Sequence, residues 1–208
     1  MSIPVSIDPL GTLGSGLPPL PAGWRHVESV VLPREETPRT IFNRTGVYDD
    51  YKSPDGVYVY LKADVIDYAA GAFASVPSIV LGNFFNASES IGAWVCFYSS
   101  GTWPGVEVAD HYSLSFGAEP CSVECELADN VYKVIKDGVV KKTGDVSGMM
   151  ARGKYWRFCC ATHQYFGVRL YRCVYDAPYK KTAFYPVENT TTGAGGIYEL
   201  ESKTVYPI

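Results

Sequence analysis

The sequence predicts an all-β protein whose antiparallel strands pack as a two-sheet sandwich or close as a barrel. The chain is rich in residues that favour strands, with 16 tyrosines among its 208 residues. Short segments of alternating apolar and polar residues recur from Trp24 to Leu200, separated by turns that contain many of the 20 glycines and 14 prolines. No segment shows the apolar spacing of an amphipathic helix.

The first 22 residues differ from the rest of the chain. Ile3, Val5 and Ile7 alternate with polar residues and proline, and Leu10 begins a run rich in proline and glycine. Such a run disfavours both a helix and a central strand. We interpret residues 1–22 as an extended arm whose apolar side chains need a partner, although an unstructured leader is the alternative. Residues 23–208 then form one domain.

Strand patterns follow one another along that domain. The segment 57–66 alternates most cleanly, so one set of side chains is expected to face the core and the other set to face away. The predicted core set is Val57, Val59, Leu61, Ala63 and Val65, with Tyr58, Tyr60, Lys62 and Asp64 opposite. The other predicted strands are 24–32, 40–43, 78–85, 93–98, 112–116, 131–136, 139–142, 155–161, 168–175, 182–187 and 197–200.

The sequence predicts the geometry of one turn. Asp137 and Gly138 separate two alternating segments, and this pair suits a type I′ hairpin turn, in which both central residues have a positive φ.

The six cysteines are expected to be reduced and to behave as small apolar residues. Only Cys121 and Cys125 have a spacing typical of metal ligands, and no histidine or second cysteine pair accompanies them. The sequence therefore predicts no metal site and no cofactor.

Two acidic residues carry the alternative interpretation of the protein as an enzyme. Glu124 and Glu126 are two residues apart, so in a strand they share one face, as the paired carboxylates of a retaining glycosidase do. A solvated edge strand explains the same pattern. Since no complete catalytic motif occurs in the chain, we expect no enzyme activity and assign no catalytic residue.

Aromatic residues in predicted loops are the candidate ligand contacts. Aromatic rings beside acidic side chains form shallow sugar-binding sites, through ring stacking and hydrogen bonds to hydroxyl groups. The alternative is that these rings cover the ends of the sheets or contact a neighbouring subunit. The glycan-contact candidates are Trp103, placed in a turn, with Tyr48, Asp50, Tyr51 and Tyr165.

Three separated parts of the chain resemble one family. Residues 20–29 resemble the opening segment of the laminin-G-like, or concanavalin-A-like, jelly-roll domains that are common in phage structural proteins. Residues 184–200 resemble the closing segment of that group, and 137–138, 155–157 and 168–171 resemble its core. Two departures are the segment 32–43, which replaces the usual sequence after the opening strand, and Glu199, which stands where the family has aspartate.

The resemblance implies a jelly-roll sandwich that presents its loops to glycans or proteins. We therefore expect a bacteriophage virion protein on the particle surface, as a head fibre, capsid decoration or tail-fibre component, made in the bacterial cytoplasm. Residues 1–20, with Ile3, Val5, Ile7 and Leu10, would anchor it to other virion proteins, and a homo-dimer or homo-trimer is expected. The alternatives are a jelly-roll carbohydrate-active enzyme that uses Glu124 and Glu126, and a stand-alone bacterial lectin.

Charge and hydropathy bear on the partners. The formal charge of −4 argues against a nucleic-acid partner, which normally requires a basic surface. No run of about 18 apolar residues and no secretory signal pattern occur in the sequence, so no membrane partner is expected.

Overall fold

A computed structural model describes residues 16–33, 42–45, 58–68, 73–84, 94–101, 103–108, 112–115, 120–145, 155–158, 166–177 and 180–208. It describes side-chain burial for 16–33, 58–66, 120–145, 167–176 and 182–208. The regular secondary structure in these ranges consists of β-strands, and the strand pairs are antiparallel. The all-β, antiparallel prediction is confirmed.

The described strands fall into two sheets. The large sheet runs in the order β11-β10-β9-β4-β14-β15-β16-β17, with β1 on β15 and with β13 between β2 and β4; the small sheet runs in the order β3-β12-β5-β6-β7-β8. In chain order the strands are β1 (Trp24–His26), β2 (Val30–Leu32), β3 (Phe42–Thr45), β4 (Tyr58–Tyr68), β5 (Phe73–Phe84), β6 (Trp94–Gly101), β7 (Trp103–Val108), β8 (Tyr112–Ser115), β9 (Cys121–Ala128), β10 (Val131–Lys136), β11 (Val139–Asp145), β12 (Tyr155–Phe158), β13 (Phe166–Leu170), β14 (Cys173–Ala177), β15 (Lys180–Asn189), β16 (Gly195–Glu199) and β17 (Thr204–Pro207).

Two predicted strands are each divided in the structure. Segment 24–32 splits into β1 and β2 because the chain changes its pairing partner from β15 to β13. Segment 168–175 splits into β13 and β14 because both pair with β4 on one side but have different neighbours, β2 and β15, on the other. The amide of Tyr171 donates to the Lys62 carbonyl at 3.2 Å, which keeps the divided segment on β4.

One face of the large sheet is apolar, and we call it the apolar face. Val59, Leu61, Ala63 and Val65 are at most 3% exposed, which confirms the predicted register, while Val57 lies outside the described residues. Burial of each large apolar side chain contributes about 1.5–3 kcal/mol to folding. Neighbouring strands add to this face Val123, Cys125, Leu127, Val134, Val168, Leu170, Cys173, Tyr175 and Phe184.

Strand β9 corrects the interpretation of the Glu124 segment as a solvated edge. It lies inside the large sheet, paired with β4 on one side and β10 on the other. Its residues alternate strictly between buried and half-buried, so Glu124 and Glu126 occupy the face opposite the apolar one.

The predicted type I′ turn is confirmed, since Asp137 and Gly138 have φ values of 51° and 74°. The Asp137 carboxylate accepts from the Ser122 amide at 2.9 Å, and the Asp137 amide donates to the Ser122 carbonyl at 2.9 Å. Asp129 and Asn130 form a second turn with positive φ, between β9 and β10, which the sequence analysis did not identify.

The described thiols are free and buried, as predicted for Cys121, Cys125 and Cys173. Burial raises the pKa of the Cys125 and Cys173 thiols, so both remain protonated near neutral pH. Cys159 and Cys160 lie outside the described residues, as does the side chain of Cys96.

Candidate functional site

The second face of the large sheet, which we call the mixed face, carries both aromatic and charged side chains. On β4 it bears Tyr58, Tyr60, Lys62 and Asp64. Its two halves differ in chemistry. We call the part over β14 to β17, with Tyr58 and Tyr60 of β4 at its border, the covered half, and the part over β10, β9, β4 and β13 the open half.

The covered half is a second apolar cluster. Leu17 and Leu20, which precede β1, and Trp24, the first residue of β1, pack against its buried side chains. The buried members are Tyr60, Val174, Ala183, Tyr185, Val187 and Tyr198. Leu17 and Leu20, which sequence analysis placed in an arm facing a partner, therefore contact the chain's own sheet.

Hydrogen bonds hold this covering segment in place. The Pro18 carbonyl is 2.8 Å from His26 Nε2, and the His26 ring stands edge-on to Tyr185 with 5.6 Å between centroids. The Gly23 carbonyl accepts from the Thr190 amide at 2.8 Å. The opening and closing segments that carry the family resemblance are thus neighbours in the structure.

Trp24 also explains a glycine in the closing segment. A Cβ atom on Gly196 would stand 2.9 Å from the Trp24 ring and 3.1 Å from a Val205 methyl. Real Cβ atoms do not approach other atoms so closely, so the ring position requires glycine here.

Glu199, the departure from the family's aspartate, is fully buried. Its carboxylate accepts from the Thr182 hydroxyl, from the Glu201 amide at 3.1 Å and from the Ser202 amide at 2.6 Å. These bonds satisfy the buried carboxylate and fix the turn between β16 and β17, so Glu199 has a structural role.

In the open half, Glu124 is the centre of a contact network. The Tyr60 hydroxyl donates to its Oε2 at 3.0 Å, and Lys62 Nζ lies 3.5 Å from its Oε1. Burial, with the nearby Glu124 charge, raises the pKa of Tyr60. The Tyr60 hydroxyl therefore remains a donor throughout the physiological pH range.

Glu126 forms a second pair, with Lys133 Nζ at 3.2 Å. Tyr58 is close enough to Glu126 for the carboxylate charge to act on it, and burial together with that charge raises the pKa of Tyr58. Tyr58 is half-buried, so part of its neutral side chain remains accessible.

Asp64 is the third acid of the open half. The Tyr171 hydroxyl donates to its Oδ2 at 2.7 Å, and Arg169 lies 3.8 Å from the same oxygen. Lys62 Nζ stands 5.0 Å from the centroid of the Tyr171 ring. Neighbouring strands thus bring tyrosine, lysine, arginine and carboxylate side chains into contact in the open half.

Arg172 marks the boundary between the two halves. Its guanidinium lies over the Tyr185 ring, with 4.9 Å from Cζ to the centroid. Its Nε is buried and has no hydrogen-bond partner among the described residues.

Of the predicted site residues, the structure brings Glu124 and Glu126 together on one face, as their spacing predicts. Each is engaged by a lysine, the arrangement of a structural ion pair. Trp103 is not in a turn: it is the first residue of β7 and pairs with Ser100. The remaining candidates lie outside the described residues: Tyr48, Asp50, Tyr51, Tyr165, Ile3, Val5, Ile7 and Leu10.

Sequence analysis missed the tyrosines and cations of the open half as site residues. The pattern Tyr58-x-Tyr60-x-Lys62-x-Asp64 and the pattern Glu124-x-Glu126 are both visible in the sequence. Their meeting depends on the pairing of β4 with β9, in which Tyr60 lies opposite Glu126 and Lys62 opposite Glu124. That long-range pairing has no local signal.

Among the described residues, no group of three or more histidine, cysteine or acidic side chains is placed to hold a metal ion. The described part of the chain also contains no helix long and apolar enough to cross a membrane.

No protein-family model and no curated protein matches the chain. Among solved structures, the chain is similar to an alginate lyase from Corynebacterium sp., with 13% sequence identity and a TM-score of 0.32. The match covers 60% of this chain and 60% of the lyase chain.

Proposed function

We propose that the protein is a bacteriophage virion protein, displayed on the particle surface as a head fibre, capsid decoration or tail-fibre component. Its large and small sheets pack as a jelly-roll sandwich, and the open half of the mixed face contacts host-surface or mucosal glycans. The resemblance of the opening and closing segments to phage jelly-roll domains supports the class of protein.

Burial of the apolar face supports the sandwich. Leu61, Val123, Cys125 and Leu127 are fully buried although they lie on one side of a single sheet, so a second layer must cover them. Cα atoms of β4 approach those of β5 and β6 to within 8 Å. The small sheet is therefore the natural cover.

The glycan-binding proposal rests on the side chains of the open half. Surface ion pairs contribute only about 0–1 kcal/mol each to stability, so a ligand could replace contacts within these three pairs at little cost to the fold. Tyrosine rings stack on sugar rings. Tyrosine hydroxyls, lysines and carboxylates form hydrogen bonds with the hydroxyl groups of the sugar. Tyr171, together with Tyr58 at the border with the covered half, supplies a half-buried ring, and Lys62, Glu124 and Glu126 supply polar contacts.

We assign the anchoring of the protein to the particle to the residues before residue 16, where the described part of the chain begins. Since Leu17 and Leu20 pack on the sheet, we assign the contact with another virion protein to Ile3, Val5, Ile7 and Leu10, which lie earlier in the chain. A symmetric dimer or trimer is the proposed assembly.

A truncation tests the virion assignment. We expect a chain without residues 2–15 to fold with unchanged thermal unfolding, because the cut spares Leu17, Leu20 and Trp24, and to be missing from purified particles. The measurement is an immunoblot of particles assembled with the full or the truncated chain.

The matched control replaces Ile3, Val5 and Ile7 by serine in the full-length chain. It keeps the length of the segment and removes its apolar side chains, and we expect it to be lost from particles as well. Normal incorporation of the truncated chain would overturn the anchoring proposal.

A further inference from the structure

Arg172 differs from the other cations of the mixed face. Lys62 is paired with Glu124, Lys133 with Glu126 and Arg169 with Asp64. Within the part of the chain that the structure describes, Arg172 has no carboxylate partner.

The position of Arg172 follows from strand register. Cys173 lies opposite Phe184 on β15, and Val174 lies opposite Tyr60 on β4. One residue further, Arg172 is placed between Lys62 and Tyr185, and its guanidinium rests on the Tyr185 ring. A guanidinium held over an aromatic ring has fewer accessible orientations than a free one, so its donors are partly ordered before a ligand arrives.

One donor of the Arg172 guanidinium is unpaired. The Nε atom is buried without a hydrogen-bond partner, and buried donors in folded proteins are nearly always paired. Arginine is the side chain whose planar fork matches a carboxylate through two parallel hydrogen bonds. Because Nε is buried, an acceptor on a ligand would meet the terminal nitrogens of this half-buried arginine, which has no carboxylate partner among the described residues.

We propose that Arg172 binds the carboxylate of an acidic sugar, so that the glycan contacted by the open half is an anionic one. This inference rests on the proposed glycan-binding function and names its ligand class. Tyr58 lies near enough to Arg172 for that charge to act on its hydroxyl, so a sugar held by Arg172 would meet a tyrosine ring. Glu126, whose charge also acts on Tyr58, favours a singly charged ligand over a dianionic phosphate.

Two pairs of probes that differ in a carboxylate test the inference. They are polygalacturonate oligomers against their methyl esters, and 3′-sialyllactose against lactose, titrated by calorimetry into the full-length protein. We expect tighter binding of an acidic member by about tenfold, the effect of one charge-assisted hydrogen-bonding group. Arg172→Gln should abolish that preference.

The matched control is Arg25→Gln. It removes an exposed arginine of β1, which pairs with Glu188 of β15, and it should leave the preference intact. Equal thermal unfolding of both variants shows that they are folded. An acid preference that survives in Arg172→Gln would overturn the inference. Equal binding of acidic and neutral members by the unaltered chain would overturn it too, while leaving glycan binding in place. Absence of binding to all four probes would count against both.

Discussion

The two halves of the mixed face lie on the same sheet but are stabilised differently. The covered half joins residues far apart in sequence: the segment before β1 packs on side chains of β14 to β17. The open half joins β4, β9 and β10 through ion pairs between partly exposed side chains, at 18–48% exposure for Lys62, Glu124, Glu126 and Lys133. Apolar burial accounts for the first half, whereas the ion pairs of the second are expected to contribute little to stability, and the second half is where we propose that a ligand binds.

The largest expected effect is in the covered half. Trp24→Ala removes the ring that covers Gly196 and packs on the aromatic cluster. We expect the free energy of unfolding to fall by about 3 kcal/mol, the cost of a large apolar truncation. Urea denaturation measures it. The control is Val31→Ala, since Val31 is 47% exposed and its truncation should cost far less.

A second substitution sharpens that test. Gly196→Ala should destabilise the unaltered chain, because the new methyl collides with the ring, and should cost less in the Trp24→Ala background. Equal costs in both backgrounds would mean that the ring does not occupy this position.

The next effect is a pH dependence at the border of the two halves. Burial and the nearby Glu124 raise the pKa of Tyr60 above its ordinary value of 10, so the unfolded chain releases this proton first. The stabilisation from Tyr60 is complete below pH 10 and is lost as pH rises above 10, by up to about 1.4 kcal/mol per pH unit. Urea midpoints between pH 8 and 11 measure the slope, and Tyr60→Phe should reduce it. An unchanged slope in that variant would place the titration elsewhere.

The smallest effect is expected in the open half. Glu126→Gln removes one partner of the pair with Lys133, and we expect the free energy of unfolding to change by less than about 1 kcal/mol. The same urea series measures it. A loss as large as that of Trp24→Ala would mean that the open half is built for stability, and the contrast between the halves would not hold.

The halves also differ in how much of them the sequence predicts. The alternation of 57–66 predicts the buried set Val59, Leu61, Ala63 and Val65, and Asp137-Gly138 predicts a turn, because both signals are local. Burial of Tyr60 could not be predicted, since Tyr60 belongs to a cluster assembled from β14, β15 and β16, on which Leu17, Leu20 and Trp24 pack. The contact of Tyr60 with Glu124 spans 64 residues and depends on the pairing of β4 with β9.

The same reason explains the error over β9. A strand with Glu124 and Glu126 on one face is typical of a solvated edge, yet this strand has neighbours on both sides. Its acids are accommodated there because β4 and β10 each present a lysine to them.

The central claim is that the open half, not the covered half, binds glycans. The most direct measurement is a map of backbone amide chemical shifts of the labelled protein, titrated with oligosaccharides released from mucin and from bacterial lipopolysaccharide. We predict shifts at Tyr58–Asp64 of β4, at Ser122–Glu126 of β9 and at Tyr171–Arg172, with the amides of β16 and β17 unchanged. Shifts confined to β16 and β17, or no shifts at saturating oligosaccharide, would contradict the claim.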